Sequence, residues 1–372
     1  MDASLDTSPA GLPRQPRMSD AEYARSRHAV WMSAAALFTD PLGRVLLVQP
    51  AYREQWLLPG GAAERGESPA HACAREVYEE LGLARRPGRL LAVHWLSPGH
   101  PDVRAGMAMP GEVRYILDGG TLTQQEIATL RAPADELLGF EFVDSTQARE
   151  RMIPVDGQIM LAALRARLSG TTAHLEGGQH VGEAPPLDRH DVYVRPRAGR
   201  TWPWHPAPVP DVLPVKQAWG WLFAPDGRVV LVVDPGNRLP TLPGGTVETT
   251  DATPEDTLRR EAIEEAQVTI GDDIVRLGWV YDATGDVYGG IGPCARLRLA
   301  APVTEVGPSE VDPATGRTFA RLLATPDQAA ALLGWGETGY QQAELAARWA
   351  HERWGIPHAV PGPISELRAA RS

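Results

Sequence analysis

Residues 61–83 read GAAERGESPAHACAREVYEELGL, and this stretch decides the fold. Gly61 is followed after five residues by Glu67, and after seven more by the run REVYEELGL, which begins at Arg75. About nine defined positions at fixed spacing are far more specific than a lone glycine-rich loop. The spacing therefore predicts a loop and a helix that together carry a chemical function.

A helix is predicted to begin at Pro69 and to end before Gly82. Ser68 suits the N-cap because its side chain accepts a hydrogen bond from a free backbone amide, and proline at the first helical position has no amide to leave unpaired. Gly82 readily takes the left-handed conformation that commonly follows a helix. The apolar stripe expected to pack on a sheet consists of Ala70, Ala74, Val77 and Leu81.

Three carboxylates share another face of this helix. Glu76, Glu79 and Glu80 stand at i, i+3 and i+4, which at ~100° per residue places them within about a third of the circumference. A solvated helix face is the ordinary explanation of such a run, but a solvated face mixes lysine among its acids, and the nearby cation here is Arg75. Like charges at this spacing repel one another, and a bound divalent cation makes the electrostatic energy of the group favourable. Oxygen ligands favour a hard ion such as Mg²⁺ or Mn²⁺.

The pattern in residues 61–83 resembles the Nudix hydrolase family. The resemblance implies an α/β fold in which a mixed sheet lies between helices. It also implies a metal-dependent hydrolase in which water attacks phosphorus at a diphosphate linkage of a small nucleoside diphosphate-linked substrate. We therefore expect Mg²⁺ or Mn²⁺ as the cofactor.

The resemblance also assigns roles to individual residues. Arg75 is expected to orient a glutamate by ion pairing, and Glu67 to support the site. The implied metal ligands are Glu76, Glu79, Glu80 and the carbonyl oxygen of Gly60. The identity of the general base stays open among Glu79, Glu80 and two acids of a later loop, Glu136 and Glu141.

The chain contains an internal repeat whose period is near half its length, which indicates a duplicated domain. Residues 35–49, AALFTDPLGRVLLVQ, and residues 219–233, WGWLFAPDGRVVLVV, each read as a β-hairpin. Each hairpin leads to a Pro-Gly-Gly loop and then to a charged helix. We therefore expect two Nudix-fold α/β/α sandwich domains. Each contains one copy of the family motif, which we call the box, at 61–83 and at 245–268.

The second box departs from the pattern at three points. It has one extra residue, its counterpart of Glu67 is Ala252 with Asp251 adjacent, and Gln267 replaces Gly82. A displacement of the ligands by about an ångström would impair catalysis. The second domain is therefore expected to be active, slow, or a binding domain without turnover. Its candidate site residues are Gly244, Arg260, Glu261, Glu264 and Glu265.

Composition divides the chain into five parts. Proline, glycine, histidine and arginine crowd the middle of the chain, where proline blocks both helix and strand, so an extended linker is predicted there. Each repeat is expected to close with an amphipathic helix, at 158–168 and 340–354. The predicted parts are an N-terminal arm (1–21), domain 1 (22–169), the linker (170–214), domain 2 (215–358) and a C-terminal tail (359–372).

Charge and composition exclude several classes of function. The formal net charge of −11 disfavours nonspecific binding to nucleic acid, because phosphate backbones are attracted by clustered lysine and arginine. No apolar run is long enough to span a bilayer and no leader pattern opens the sequence, so a cytoplasmic protein is expected.

Cys73 and Cys294 are expected to be buried thiols rather than nucleophiles or a disulfide. Because exposed sheet edges can pair between two chains, a homodimer is a further expectation.

The substrate and the partner class are left open by the sequence. Trp56 is a weak candidate for stacking on a base, and Arg53 for binding a phosphate. Within the hydrolase class, a nucleoside triphosphate pyrophosphatase and an ADP-ribose or dinucleotide pyrophosphatase fit equally. The alternative from another class is a nucleotide-sensing protein in which domain 2, or both domains, bind nucleotide without turnover.

Overall fold

Each half of the chain folds into a mixed β-sheet with helices on both faces. The computed structural model describes residues 18–103, 108–194, 196, 202–285 and 292–369. Most of the predicted N-terminal arm lies outside the described residues. A short helix begins at Asp20, inside the range predicted as arm, because Ser19 and Glu22 form a capping box.

The first sheet has a parallel pair of strands at its centre. The helices of this half are α1 (Asp20–Ser26), α2 (Pro69–Leu81), α3 (Gln124–Ile127), α4 (Ser145–Arg151) and α5 (Pro154–Ser169). Its strands are β1 (Trp31–Thr39), β2 (Val45–Pro50), β3 (Gly60–Ala62), β4 (Leu90–Leu96), β5 (Glu112–Thr121) and β6 (Leu137–Val143). The order across the sheet is β6-β2-β1-β5-β4, with β3 on β1, and β1 runs parallel to β5.

The middle of the chain is not an extended linker, which corrects that prediction. It contains β7 (Ala173–Glu176), β8 (Gln179–His180), α6 (Pro186–Arg189) and β9 (Trp204–His205). Strand β7 adds parallel to β4, at the edge of the first sheet. These strands form because a sheet edge offers unpaired backbone groups, and they span only two to four residues, too few to leave a periodic pattern in the sequence.

The second half repeats the architecture. Its helices are α7 (Pro254–Ala266), α8 (Pro326–Leu333) and α9 (Glu337–Trp354). Its strands are β10 (Val215–Phe223), β11 (Val229–Val233), β12 (Pro240–Thr241), β13 (Gly244–Thr246), β14 (Val268–Ile270), β15 (Val275–Asp282), β16 (Cys294–Val306), β17 (Ala320–Ala324) and β18 (Ser365–Glu366). The order is β18-β17-β11-β10-β16-β15-β9, with β10 parallel to β16.

Both faces of each sheet carry an apolar core. In the first half α2 covers one face and α5 the other, and in the second half α7 covers one face and α8 with α9 the other. The α/β/α sandwich predicted for each half is therefore confirmed. The stripe predicted on α2 is partly wrong: Ala70 is exposed and Ala74 only half-buried, and the buried set is Ala72, Cys73, Val77 and Leu81. Cys73 and Cys294 are buried free thiols, as expected.

Helix α5 is buried on nearly all sides and joins the two halves. It extends beyond the predicted residues 158–168, and α6 packs against the side that an amphipathic helix would leave in water. Arg165 of α5 forms ion pairs with Asp188 at 3.2 Å and Asp191 at 2.6 Å, and it donates a hydrogen bond to the carbonyl oxygen of Val192 at 3.1 Å. The middle segment is thus fastened to domain 1 by a buried guanidinium.

The predicted C-terminal tail is also part of the fold. Strand β18 pairs with β17, and Ile364 and Leu367 on either side of it are buried. This segment closes the edge of the second sheet, so the boundary predicted at residue 358 falls inside the folded domain. Within the described residues, no helix is long and apolar enough to cross a membrane.

Replacing Arg165 by methionine is expected to destabilise the protein by about 3 kcal/mol, because the buried carboxylate of Asp188 would keep only its longer contact with His180, at 3.4 Å. Urea unfolding followed by circular dichroism measures the change. Arg353→Met is the control, because its pair with Asp273 is exposed and such pairs contribute about 1 kcal/mol or less. Equal, small effects of the two substitutions would contradict the fastening role.

Candidate active site

The tight backbone of the first Pro-Gly-Gly loop places the loop against the box helix. Strand β3 pairs with β1, and Gly60 there has φ 145°. A Cβ on Gly60 would lie 2.3 Å from the carbonyl oxygen of Ala34, so only glycine fits. Ser68 caps α2 by accepting from the amide of His71, and Gly82 follows it with φ 68°. The predicted helix bounds are confirmed.

Arg75 is the centre of the first site. Its Nε donates to Glu67 at 2.9 Å, and its Nη1 donates to Glu76 at 3.0 Å and to Glu79 at 2.8 Å. Its Nη2 donates to the carbonyl oxygen of Ala62 at 3.0 Å and to the second oxygen of Glu67 at 3.0 Å. These bonds lower the pKa of Glu67 to about 2 and raise the pKa of the guanidinium. Arg75 therefore holds three carboxylates and the loop together.

The remaining glutamate is fixed by the backbone of the loop. The amide of Gly60 donates to Glu80 at 2.9 Å, and burial raises the pKa of Glu80 to about 8. Burial also raises the pKa of Glu76, whose carboxylate lies against Gly61. A Cβ on Gly61 would come within 2.5 Å of the Glu76 carboxyl carbon. The Gly-Gly pair is thus required at two separate contacts.

The donor set of this cluster fits a hard divalent cation. In the described part of the chain, no group of three or more Asp, Glu, His or Cys side chains has its ligand atoms already placed around a metal position. Arg75 bonds Glu76 and Glu79, and Glu79 is the most exposed of the cluster, at 47%. Buried carboxylates with raised pKa values are nevertheless the groups that a cation stabilises, and all their ligand atoms are oxygens.

The two later-loop acids are placed differently. The charge of Glu136 contributes to raising the pKa of both Glu76 and Glu80, so Glu136 lies near the cluster. Glu141 forms an ion pair with Arg151. The structure therefore brings only Glu136 of this pair towards the box.

A pocket of about 810 Å³ opens beside the first box, and Gly60 and Gly61 form part of its wall. Arg114 lines this pocket together with Asp156 and Glu112, with which it forms ion pairs at 2.5 Å and 2.8 Å. None of these three residues was predicted from the sequence as a site residue. The signal for Arg114 and Asp156 was a charged residue within a largely apolar strand or helix, because charged side chains are rarely buried unless they are paired.

The two weak substrate candidates fall in different places. Arg53 lines the pocket and pairs with Asp156 at 3.3 Å. Trp56 packs on the apolar core, with the Arg151 guanidinium 5.1 Å from its ring centroid. The ring of Trp56 is thus already in contact with a guanidinium of its own domain.

The second box builds the same arrangement. Arg260 donates to Asp251 at 3.3 and 3.1 Å, to Glu261 at 3.0 Å and to Glu264 at 2.9 Å. The amide of Gly244 donates to Glu265 at 3.0 Å. Burial raises the pKa of Glu265 to about 8 and that of Glu261 to about 6.

The departures in the second box preserve the geometry. The structural counterpart of Glu67 is Asp251. The sequence-based assignment of Ala252 to this position is therefore wrong. Asp251 accepts from the amide of Glu248 three residues earlier, as Glu67 does from that of Glu64. The extra residue lies between this acid and the helix cap, where it offsets the shorter side chain. Gln267 takes the left-handed conformation of Gly82, with φ 49°, and its amide bonds the carbonyl oxygen of Glu264.

The two domains differ beside the box. The first glycine of each loop pairs with Ala35 in domain 1 and with Trp219 in domain 2. On the parallel strand, Ala35 pairs with Ile116 and Trp219 with Arg298. Ala35 and Ile116 line the first pocket. Larger side chains therefore stand at both equivalent positions of domain 2.

Arg298 is packed into the interior of domain 2. It is 6% exposed, its guanidinium lies 4.8 Å from the ring centroid of Trp335, and it donates to Gln342 at 3.2 Å. Burial lowers its pKa to about 9. At the strand position where domain 1 has Ile116 in its pocket wall, domain 2 thus has an arginine over a tryptophan ring.

Comparison with known proteins identifies the family. The sequence model of the NUDIX domain matches residues 31–163 and 214–321, more than half of the chain. The chain therefore belongs to the Nudix family, and it carries two copies of the domain, as the repeat predicted.

Similar proteins share only part of their length with this chain. The 8-oxo-dGDP phosphatase NUDT18 of Homo sapiens is 40% identical over 98 residues, which are 26% of this chain and 28% of that protein. Diphosphoinositol polyphosphate phosphohydrolase 2 of Rattus norvegicus is 40% identical over 82 residues, 22% of this chain and 44% of that protein. Among solved structures, a MutT protein from Methanosarcina mazei Go1 is 20% identical, covering 38% of this chain and 97% of its own, with a TM-score of 0.32. The chain spans less than half the length of either curated relative.

Asp251→Ala is expected to destabilise the second domain by about 2 kcal/mol, because Arg260 and Thr257 lose charge-assisted hydrogen bonds in a half-buried site. Ala252→Ser is the control, since it changes the neighbouring residue that position alone aligns with Glu67. Thermal unfolding of both variants measures the difference. Equal stability of the two would refute Asp251 as the counterpart of Glu67.

Proposed function

We propose that the chain is a divalent-metal-dependent hydrolase of diphosphate linkages in nucleoside diphosphate and triphosphate derivatives, with catalysis in domain 1. One observation carries the proposal. The two glycines that contact Glu80 and Glu76 are also part of the wall of the large pocket. A diphosphate lying across Gly60 and Gly61 would therefore have the carboxylates on one side and the pocket on the other.

The proposed roles follow from the contacts. Members of the family generally use divalent metals, which neutralise phosphate charge and activate water when bound. Mg²⁺ or Mn²⁺ would be held by Glu76, Glu79 and Glu80, with the Gly60 carbonyl oxygen as a further ligand. Arg75 and Glu67 position these ligands. The attacking water loses a proton to Glu79, Glu80 or Glu136, its oxygen bonds to phosphorus, and the bridging P–O bond breaks, releasing a monophosphate and a second phosphorylated product.

The charge of the pocket favours a nucleoside-linked substrate over an inositol polyphosphate. Two arginines and four carboxylates line it, for a net charge of −2, before the box glutamates are counted. A ring of phosphates would meet repulsion there, whereas a single diphosphate needs compensation only at the metal site. The apolar and aromatic part of the wall, which includes Trp31, Met109 and Tyr115, suits a nucleobase. Of the activities named for the two relatives, this chain more closely fits the one that acts on a nucleotide.

A second candidate function is favoured for domain 2 by the larger side chains beside its acid cluster. Trp219 and Arg298 replace Ala35 and Ile116, while the carboxylate cluster is retained. We propose that domain 2 binds a divalent cation, or a nucleotide phosphate through it, without turning over the substrates of domain 1. This corresponds to the nucleotide-sensing alternative, confined to one domain.

Glu79→Gln/Glu80→Gln is expected to lower turnover at least about 100-fold, because it removes metal ligands and base candidates, whereas Glu264→Gln/Glu265→Gln leaves turnover nearly unchanged. The measurement is Mg²⁺-dependent product release, resolved by chromatography. The panel holds nucleoside triphosphates, 8-oxo-dGDP, ADP-ribose, NADH, diadenosine polyphosphates and a diphosphoinositol polyphosphate. Losses shared between the variants would show two working sites. A wild type that cleaves nothing would refute the hydrolase and favour a sensor.

Gly61→Ala is expected to weaken Mn²⁺ binding and turnover at least about tenfold while the protein stays folded, because the new Cβ displaces Glu76 from its position. Calorimetric titration with Mn²⁺ in the Glu264→Gln/Glu265→Gln background, which removes carboxylates of the second cluster, and thermal unfolding separate the two effects. Gly139→Ala is the matched control, since its Cβ would meet no atom within 4 Å. If Gly61→Ala binds Mn²⁺ as the control does, Glu76 is not a ligand.

A further inference from the structure

A second large cavity, lined by no residue of either box, lies where the middle segment and the C-terminal segment meet domain 2. It encloses about 680 Å³. Arg189 at the end of α6, Arg321 on β17 and Arg368 after β18 come from three separate parts of the chain to line it. Arg238, from the loop after β11, is a fourth. We call this cavity the arginine pocket.

The charge of the arginine pocket opposes that of the protein. Four arginines and two carboxylates, Asp191 and Glu366, line it, and Glu183 outside the lining pairs with Arg189, which leaves an excess of one positive charge in a chain of net charge −11. A concave surface concentrates such a field and attracts anions from solution. Arg368 is 69% exposed, and its recorded carboxylate contact is a long one, 3.4 Å to Glu366. This arginine is therefore available to a ligand.

Arg321 carries its charge without a carboxylate. It is 7% exposed, and burial lowers its pKa. Its Nη1 donates to the carbonyl oxygens of Ala266 and Gly307, both at 3.0 Å, and no carboxylate of the described chain is within ion-pair distance. A buried guanidinium is costly unless an anion compensates it. An anion in the pocket would supply that charge.

The backbone of the pocket is strained at two of its charged residues. Among the described residues, three non-glycine residues have a positive φ, and two of them, Asp191 at 44° and Arg238 at 61°, line this cavity and form an ion pair with each other. Strained backbone persists where surrounding structure fixes it, and it is concentrated at ligand sites. The strain is an observation independent of the charge count.

We propose that the arginine pocket binds a small phosphorylated anion of about nucleotide size. Guanidinium forks match phosphate oxygens in bidentate geometry, and several arginines from different directions suit a group with two or more negative charges. The volume falls within the range of small-molecule sites. Because Arg321 also bonds the carbonyl oxygen of Ala266, the last residue of α7, an anion bound to Arg321 is linked through it to the helix that carries the second acid cluster.

The test is calorimetric titration of the full chain with inorganic pyrophosphate in EDTA, so that no metal-bound phosphate occupies either box. Wild type is expected to bind, and Arg189→Gln/Arg368→Gln to bind at least about 100-fold more weakly, roughly tenfold for each charged hydrogen-bond donor removed. Neither substitution touches Arg321, so the contact with α7 stays. An unfolding transition close to that of wild type confirms that the double variant is folded.

Arg276→Gln/Arg353→Gln is the matched control, because it removes the same charge and two exposed ion pairs elsewhere on the surface. It is expected to bind pyrophosphate as wild type does. Absence of binding by wild type at millimolar concentration, or equal binding by the two double variants, would overturn the proposal. Citrate bound as tightly as pyrophosphate would show that the site reads charge alone, which overturns the phosphate assignment. Since the measurement involves no turnover, its failure is distinct from failure of the proposed hydrolase.

Discussion

The guanidinium of the box helix is the interaction on which each site depends. Carboxylates three and four residues apart on one helix repel, and repulsion grows when one side of the helix is buried. Arg75 offsets it by bonding three carboxylates and the carbonyl oxygen of Ala62 with a single planar group. A lysine presents a point charge and has no such fork. The helix and the glycine loop are thereby joined at the acidic face, where substrate phosphates would enter.

The same constraint explains how the second box tolerates its changes. What must be kept is the position of a carboxylate at Arg260, not the residue number that supplies it. Asp251 has a shorter side chain than Glu67, and the extra residue after it lets the loop bring that carboxylate within 3.1 Å. Gln267 pays a conformational cost that Gly82 avoids, and its own side-chain amide bond to Glu264 offsets part of it. Departures from a motif therefore do not measure departures from its geometry.

The sequence predicted what local chemistry determines. The caps of α2 and the spacing of its glutamates are set by residues close together in the sequence, and the resemblance that gave the pairing role of Arg75 rests on the same short motif. The charged lining of the first pocket could not be predicted in this way, because Arg114 and Asp156 are 42 residues apart and meet only through the packing of α5 on the sheet. The edge strands β7, β9 and β18 were missed for the same reason. Their backbone groups pair with partners far along the chain, and their side chains show too short a pattern to detect.

The contrast between the two domains follows from how the fold separates its tasks. The acid cluster is built by a loop and a helix, whose side-chain contacts do not involve the strand residues beside them. The pocket is shaped by those strand residues, where domain 1 has Ala35 and Ile116 and domain 2 has the larger Trp219 and Arg298. Selection can therefore change the pocket without disturbing the cluster. A second copy that keeps its carboxylates while Arg298 packs on Trp335 follows from that separation.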